Sequence, residues 1–133
     1  MADETQIIEL HGNGGDPIRV TVAEDAGIAK GAILSVANPR TAAVAGANES
    51  FIGIAASEKV AGDGSTTLAV YTKGIFNMRA DAAGHAAGVR LTTGAANRTK
   101  TAVAGDLLKG CVGIALSTMG ANVWGPVLVG SGL

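Results

Sequence analysis

Ala26-Gly27-Ile28-Ala29-Lys30-Gly31-Ala32-Ile33-Leu34 lines up with Ala83-Gly84-His85-Ala86-Ala87-Gly88-Val89-Arg90-Leu91. Two further matches follow in the same order. Ala43-Val44-Ala45-Gly46 pairs with Ala102-Val103-Ala104-Gly105, and Ile52-Gly53-Ile54-Ala55 pairs with Val112-Gly113-Ile114-Ala115. Ser57 and Ser117 come shortly after, and strands running to Gly74 and Gly130 close the two copies. An ordered repeat of this kind limits the chain to folds made of two like units. The copies read as about 26–74 and 83–130. Stacked solenoids need three or more units, so two packed copies predict a compact β-barrel or β-clip.

The local pattern is β throughout. Ile18, Val20 and Val22 alternate with Arg19 and Thr21, the period of a half-buried strand. Gln6–Leu10 alternates similarly. Further strands are predicted at 32–37, 50–56, 66–73, 88–93, 111–117 and 121–129. Gly62-Asp63-Gly64-Ser65 reads as a hairpin connection. Pro126 predicts an edge strand or a bulge. Helix is confined to one or two turns at 23–29 and 81–87, the second with Asp81 as its N-cap. The glycines have geometric readings. Gly53 and Gly113 lie inside strands and mark a bend, a bulge or a close backbone approach. Gly31 and Gly88 precede strands at turns that need positive φ. The fold class is therefore all-β, with residues 17–133 forming one domain. Residues 1–16 form an N-terminal strand or extended arm and a Gly-rich loop, His11–Asp16.

Composition sharpens this. The 133 residues hold 20 Gly and 25 Ala, while aromatics make only 3%. Ala removes little area from water, and burial stabilises by about 25 cal/mol per Å². A core this light is modestly stable alone, so association is expected. Net charge is −1 and the basic residues are scattered. Nucleic-acid binders carry a basic stripe with stacking aromatics, and neither is present. No apolar run is long enough for a membrane-spanning helix. The start Met1-Ala2-Asp3-Glu4 has no apolar segment of the secretory kind, which predicts assembly in a cytoplasm. On that reading the glycosylation triplets at Asn48 and Asn97 are chance matches.

Candidate chemistry is sparse. His11 and His85 are the two histidines and Cys111 the single cysteine. None has metal-ligand spacing, so no metal and no cofactor are expected. His85 aligns with Ile28 and is assigned to a turn, His11 to a solvated loop. Cys111 aligns with Phe51 and reads as a buried small hydrophobe. No nucleophile elbow occurs. The His11–Asp16 loop lacks the Lys-Ser/Thr of a phosphate-binding loop. Glu24-Asp25 favours a helix start over acid–base work. The chain is not expected to be an enzyme.

The order of these motifs resembles the capsid decoration, or cement, proteins of tailed bacteriophages, with the lambda head decoration protein a distant architectural relative. The segments 26–34, 51–55 (Phe51-Ile52-Gly53-Ile54-Ala55) and 70–75 (Val70-Tyr71-Thr72-Lys73-Gly74-Ile75) carry the likeness, with echoes at 87–91 and 112–115. The resemblance implies a binding protein on the outer capsid surface of the virion. It would be a homotrimer whose partner is the major capsid protein, and it would clamp neighbouring subunits. In that setting Ala2–Leu10 is expected to act as an arm that adds to an extended capsid segment. Thr5, Gln6, Ile7, Ile8, Glu9 and Leu10 are its candidate contacts, because exposed strand edges accept further strands. Pairing of this segment inside its own domain is the competing expectation. A carbohydrate- or surface-binding β-module is the alternative function, with Tyr71 and Trp124 as stacking residues. A small enzyme of β-clip type is the third.

Overall fold

The computed structural model describes residues 4–10, 17–105 and 110–130. The loop His11–Asp16 and its histidine lie outside the described residues. Eleven strands run through the described chain: β1 (Gln6–Leu10), β2 (Ile18–Thr21), β3 (Ile33–Asn38), β4 (Thr41–Val44), β5 (Phe51–Ala55), β6 (Thr67–Tyr71), β7 (Gly74–Arg79), β8 (Arg90–Thr93), β9 (Thr99–Thr101), β10 (Gly113–Ala115) and β11 (Trp124–Val129). The fold is all-β, as the alternation predicts.

The first copy closes into a five-stranded barrel in the order β2-β4-β3-β5-β6. The second forms a sheet in the order β1-β7-β11-β10-β8-β9. With β1 set aside, the two orders are the same. Leu34 pairs with Gly53 as Leu91 pairs with Gly113, and Ala55 pairs with Val70 as Ala115 pairs with Val127. The first barrel closes through the parallel contact of Thr21 with Thr41, and Ala80 makes the matching parallel bridge to Thr99. The repeated unit therefore starts at β2 and β7, earlier than the boundaries at 26 and 83. Gly74 opens the second copy and does not close the first.

One stretch of the sequence alignment shifts by two residues. Ala45 N–H donates to Ile33 O at 2.9 Å, and Ala102 N–H donates to Arg90 O at 2.9 Å. Ala45 and Ala102 are thus equivalent. The matching Ala-Val-Ala-Gly words drew the alignment out of register.

The glycine readings hold. Gly31 and Gly88 have φ of +89° and +86°, and their N–H groups reach Ala55 O and Ala115 O at 2.9 and 2.7 Å. A Cβ on Gly53 would overlap Val70 and the Tyr71 carbonyl, and one on Gly113 would overlap the Leu128 carbonyl. Both are close backbone approaches between hairpin strands.

The helical turns at 23–29 and 81–87 are replaced by single turns. Ile28 exchanges backbone hydrogen bonds with Lys59, and His85 does so with Met119. Backbone groups spent in those bridges cannot propagate a helix. Asp81 caps a turn, its Oδ1 accepting from Ala83 N–H at 3.1 Å. Pro126 is neither on an edge nor at a bulge: β11 lies between β7 and β10, and Pro126 pairs with Asn77 in continuous register. Its carbonyl accepts from Leu116 N–H at 3.0 Å, one residue past the end of β10. The missing donor thus falls where the ladder has ended.

Two cores result. Val20, Leu34, Leu68, Val70 and their neighbours fill the first barrel. Phe76, Met78, Leu91, Val112 and Val127 form the core against the sheet of the second copy, and four residues of the first copy join them: Ile33, Ala45, Phe51 and Ile54. Strand alternation sends Leu34 inward and Ile33 outward to the second copy. In β5 the register skips Ile52, so Phe51 and Ile54 both serve the shared core.

Candidate functional site

β1 docks on the free side of β7. Gln6 faces Asn77, Ile7 faces Phe76 and Leu10 faces Gly74, with the register slipping at Ile8. Asn77 Nδ2 donates to Gln6 Oε1 at 3.1 Å. Thr5 is buried, and its N–H donates to Gly31 O at 3.0 Å. Residues 6–10 thus pair inside the chain, the second of the two expectations for this segment. β1 ends the strand order, so no described strand lies on its other side. Ile7 and Ile8 are 43% and 53% exposed there. Of the six candidate contacts, Thr5 is committed inward and Leu10 packs partly against the shared core. Gln6, Ile7, Ile8 and Glu9 are at the surface.

The two copies are joined by polar contacts that carry no sequence motif. Asn97 Oδ1 accepts from Ile33 N–H at 2.7 Å, and its Nδ2 donates to Gly31 O at 3.3 Å. Glu49 N–H donates across to Thr93 Oγ1 at 2.8 Å, while within the first copy its Oε1 accepts from Ser35 Oγ at 2.9 Å. Lys100 Nζ donates to Asn48 Oδ1 at 3.0 Å. Asn48 and Asn97, the two triplet asparagines, are both part of this seam. Both have positive φ, 59° and 61°, a conformation Asn tolerates better than most residues.

Lys59 is 3% exposed. Its Nζ donates to Glu24 O at 2.6 Å, Ala26 O at 3.2 Å and Asp63 Oδ1 at 3.2 Å. This ammonium serves as a staple for the loops at 24–26 and 60–63. An open cleft of about 420 Å³ beside it is lined by Gly27, Ile28, Ala29, Glu58, Lys59, Val60 and Ala61. Because the ammonium points into carbonyls, it is not offered to a ligand as a free amine. Glu24 does not start a helix. Its Oε1 accepts from Gly64 N–H at 2.8 Å. The carboxyl of Asp63 is held below the usual range, first by the Ser65 N–H and then by Lys59 against a desolvation that opposes them.

His85 takes the place of Ile28, as the alignment predicts, and is buried. Its Nε2 lies 2.8 Å from Thr99 Oγ1 and its Nδ1 lies 3.2 Å from Thr101 Oγ1. Burial lowers its pKa, and Asp81 partly offsets this. Cys111 is buried, as expected from its match to Phe51. Tyr71 packs against Phe76 with ring centroids 6.0 Å apart and contributes to the shared core. Of the two aromatics considered for sugar stacking, that leaves Trp124. Among the described residues no group of three or more His, Cys, Asp or Glu side chains converges to hold a metal.

No protein-family model matches the chain, and no curated protein is significantly similar to it.

Proposed function

We propose that the chain is a capsid decoration protein, joining the outside of an assembled tailed-phage head as a homotrimer and clamping neighbouring major capsid subunits. The order and spacing of the motifs at 26–34, 51–55 and 70–75 support this reading from the sequence. The observation that carries it is β1, an edge strand whose outer side meets no described strand and which presents Ile7 and Ile8. Strand addition supplies backbone hydrogen bonds for affinity and alternate side-chain pockets for specificity. A protein that binds the assembled shell but not free subunits stabilises the shell by mass action. Several linked contacts raise avidity by about two to four orders of magnitude. The near-neutral charge suits a partner that is protein.

The test is co-sedimentation with heads assembled from a tailed-phage major capsid protein and carrying no decoration protein. Wild-type protein should pellet with the heads. Ile8→Pro, at the exposed slip in β1, should stay folded and lose at least tenfold in affinity. Equal binding by Ile8→Pro would remove β1 from the contact, and a glycan that binds the chain with no head binding would favour the carbohydrate-module reading.

A further inference from the structure

The first copy covers one of its own outer faces by packing it against the second copy. Ile33 and Ile54, both 1% exposed, enter the second core with Tyr71 beside them. The shared registers identify the counterparts in the second copy: Arg90 for Ile33, Ile114 for Ile54 and Leu128 for Tyr71. No described residue covers these three as the second copy covers theirs, and each is half-buried.

The surrounding side chains are apolar to a degree the first copy is not. Ile114 pairs with Leu128, and Leu128 pairs with Ile75, so the three lie in one row across β10, β11 and β7. Pro126 and Trp124 follow on the same face at the two-residue period of β11, and Leu116 continues it past β10. Leu116 is 45% exposed. At the equivalent places the first copy has Ala56 for Leu116, Thr67 for Trp124 and Ala69 for Pro126. Substitution toward larger apolar groups on an uncovered face is the mark of an interaction site. Asn77, Arg79 and Arg90 rim it with polar groups, the arrangement of an interface core and its edge.

The repeat also supplies the matching receptor. Tyr71 meets Phe76 within the chain. The first-copy counterpart of Phe76 is Ile18, because both lie opposite equivalent residues, Val127 and Val70. Ile18 is 41% exposed. Among the described residues, one molecule thus has a donor face on its second copy and a receptor on its first that nothing covers.

We infer that the face formed by Ile75, Ile114, Leu116, Trp124, Pro126 and Leu128 binds the first barrel of a second copy of this chain, head to tail, repeating between molecules the contact made between the two copies of the repeat within one. A contact of this heterologous kind closes into a ring or extends into a filament according to its rotation. The inference rests on the homotrimer of the capsid reading and names its contact: single chains bound to heads would leave head binding in place and remove both the homotrimer and this contact.

Sedimentation equilibrium of the full chain tests it. Wild type should run at a multiple of 13.1 kDa, and Leu116→Glu/Leu128→Glu at the single-chain mass. Val60→Glu, at another exposed apolar position, should keep the multiple. Should the double variant unfold, cross-linking decides. With Cys111→Ala as background, Ile18→Cys/Leu128→Cys should form an interchain disulfide, and Val60→Cys/Leu128→Cys should not. Wild type at the mass of one chain, a folded double variant that keeps the multiple, or no Ile18–Leu128 cross-link would overturn the inference.

Discussion

His85 Nε2 lies 2.8 Å from Thr99 Oγ1 in the second copy, at the position that Ile28 fills in the first. A neutral ring suits that site. Its folded pKa lies below the ordinary histidine value of 6.5 because burial disfavours the charged form. The unfolded chain therefore takes up the proton first as pH falls. The stability His85 contributes is complete above 6.5, and declines as pH drops through that value toward the lower folded pKa. His85→Ile, which restores the first copy's residue, should remove this part of the acid dependence. Between pH 7.5 and 5 the urea midpoint of wild type should fall more steeply than that of the variant. Parallel curves would contradict the assignment.

Gly113→Ala and Gly53→Ala should each destabilise, Gly113→Ala the more, since its new Cβ meets a strand carbonyl with no side chain to yield. Overpacking costs about 1–3 kcal/mol and occasionally more. Gly105→Ala, with no described residue within 4 Å of a new Cβ, should lie within about 0.5 kcal/mol of wild type. Chemical denaturation of the three variants measures the contrast.

Asn97→Ala should cost about 2–3 kcal/mol, because it strands Ile33 N–H and places Ala at φ +61°. Asn97→Gly relieves the backbone strain while losing the same hydrogen bonds. It should recover about 1 kcal/mol of that loss, again read from denaturation midpoints.

Lys59→Met puts the residue of the second copy, Met119, into the first. The Ala26 carbonyl then loses the Lys59 donor and the Glu24 carbonyl keeps only Gly62 N–H, at about 1–3 kcal/mol for a group left unsatisfied. Hydrogen exchange should quicken at Gly62 and Gly64, whose N–H groups bond Glu24, while the sheet of the second copy keeps its protection.

The repeat was legible in the sequence because its glycines answer to backbone geometry that no other residue satisfies well. β4 and β9 were not. Ala42-Ala43 has weak strand propensity, and Thr99-Lys100-Thr101 is too short and polar to alternate visibly. β7 was hidden by Gly74, which looks like a terminator and is the first residue of the second copy. The seam residues Asn97 and Glu49, and Lys59 within the first copy, act mostly through single backbone groups distant in sequence, a relation without spacing or motif. Among the candidate contacts the pattern located β1, but only the fold shows that Thr5 is turned inward and that the exposed slip falls at Ile8.

The central claim is that this chain stabilises an assembled head. The most direct measurement is the thermal rupture of DNA-filled heads prepared without the protein, followed by DNA release before and after the purified chain is added back. The account predicts saturable binding to the outer surface and release shifted to higher temperature. Heads that release DNA at an unchanged temperature, with the protein left in the supernatant, would contradict it.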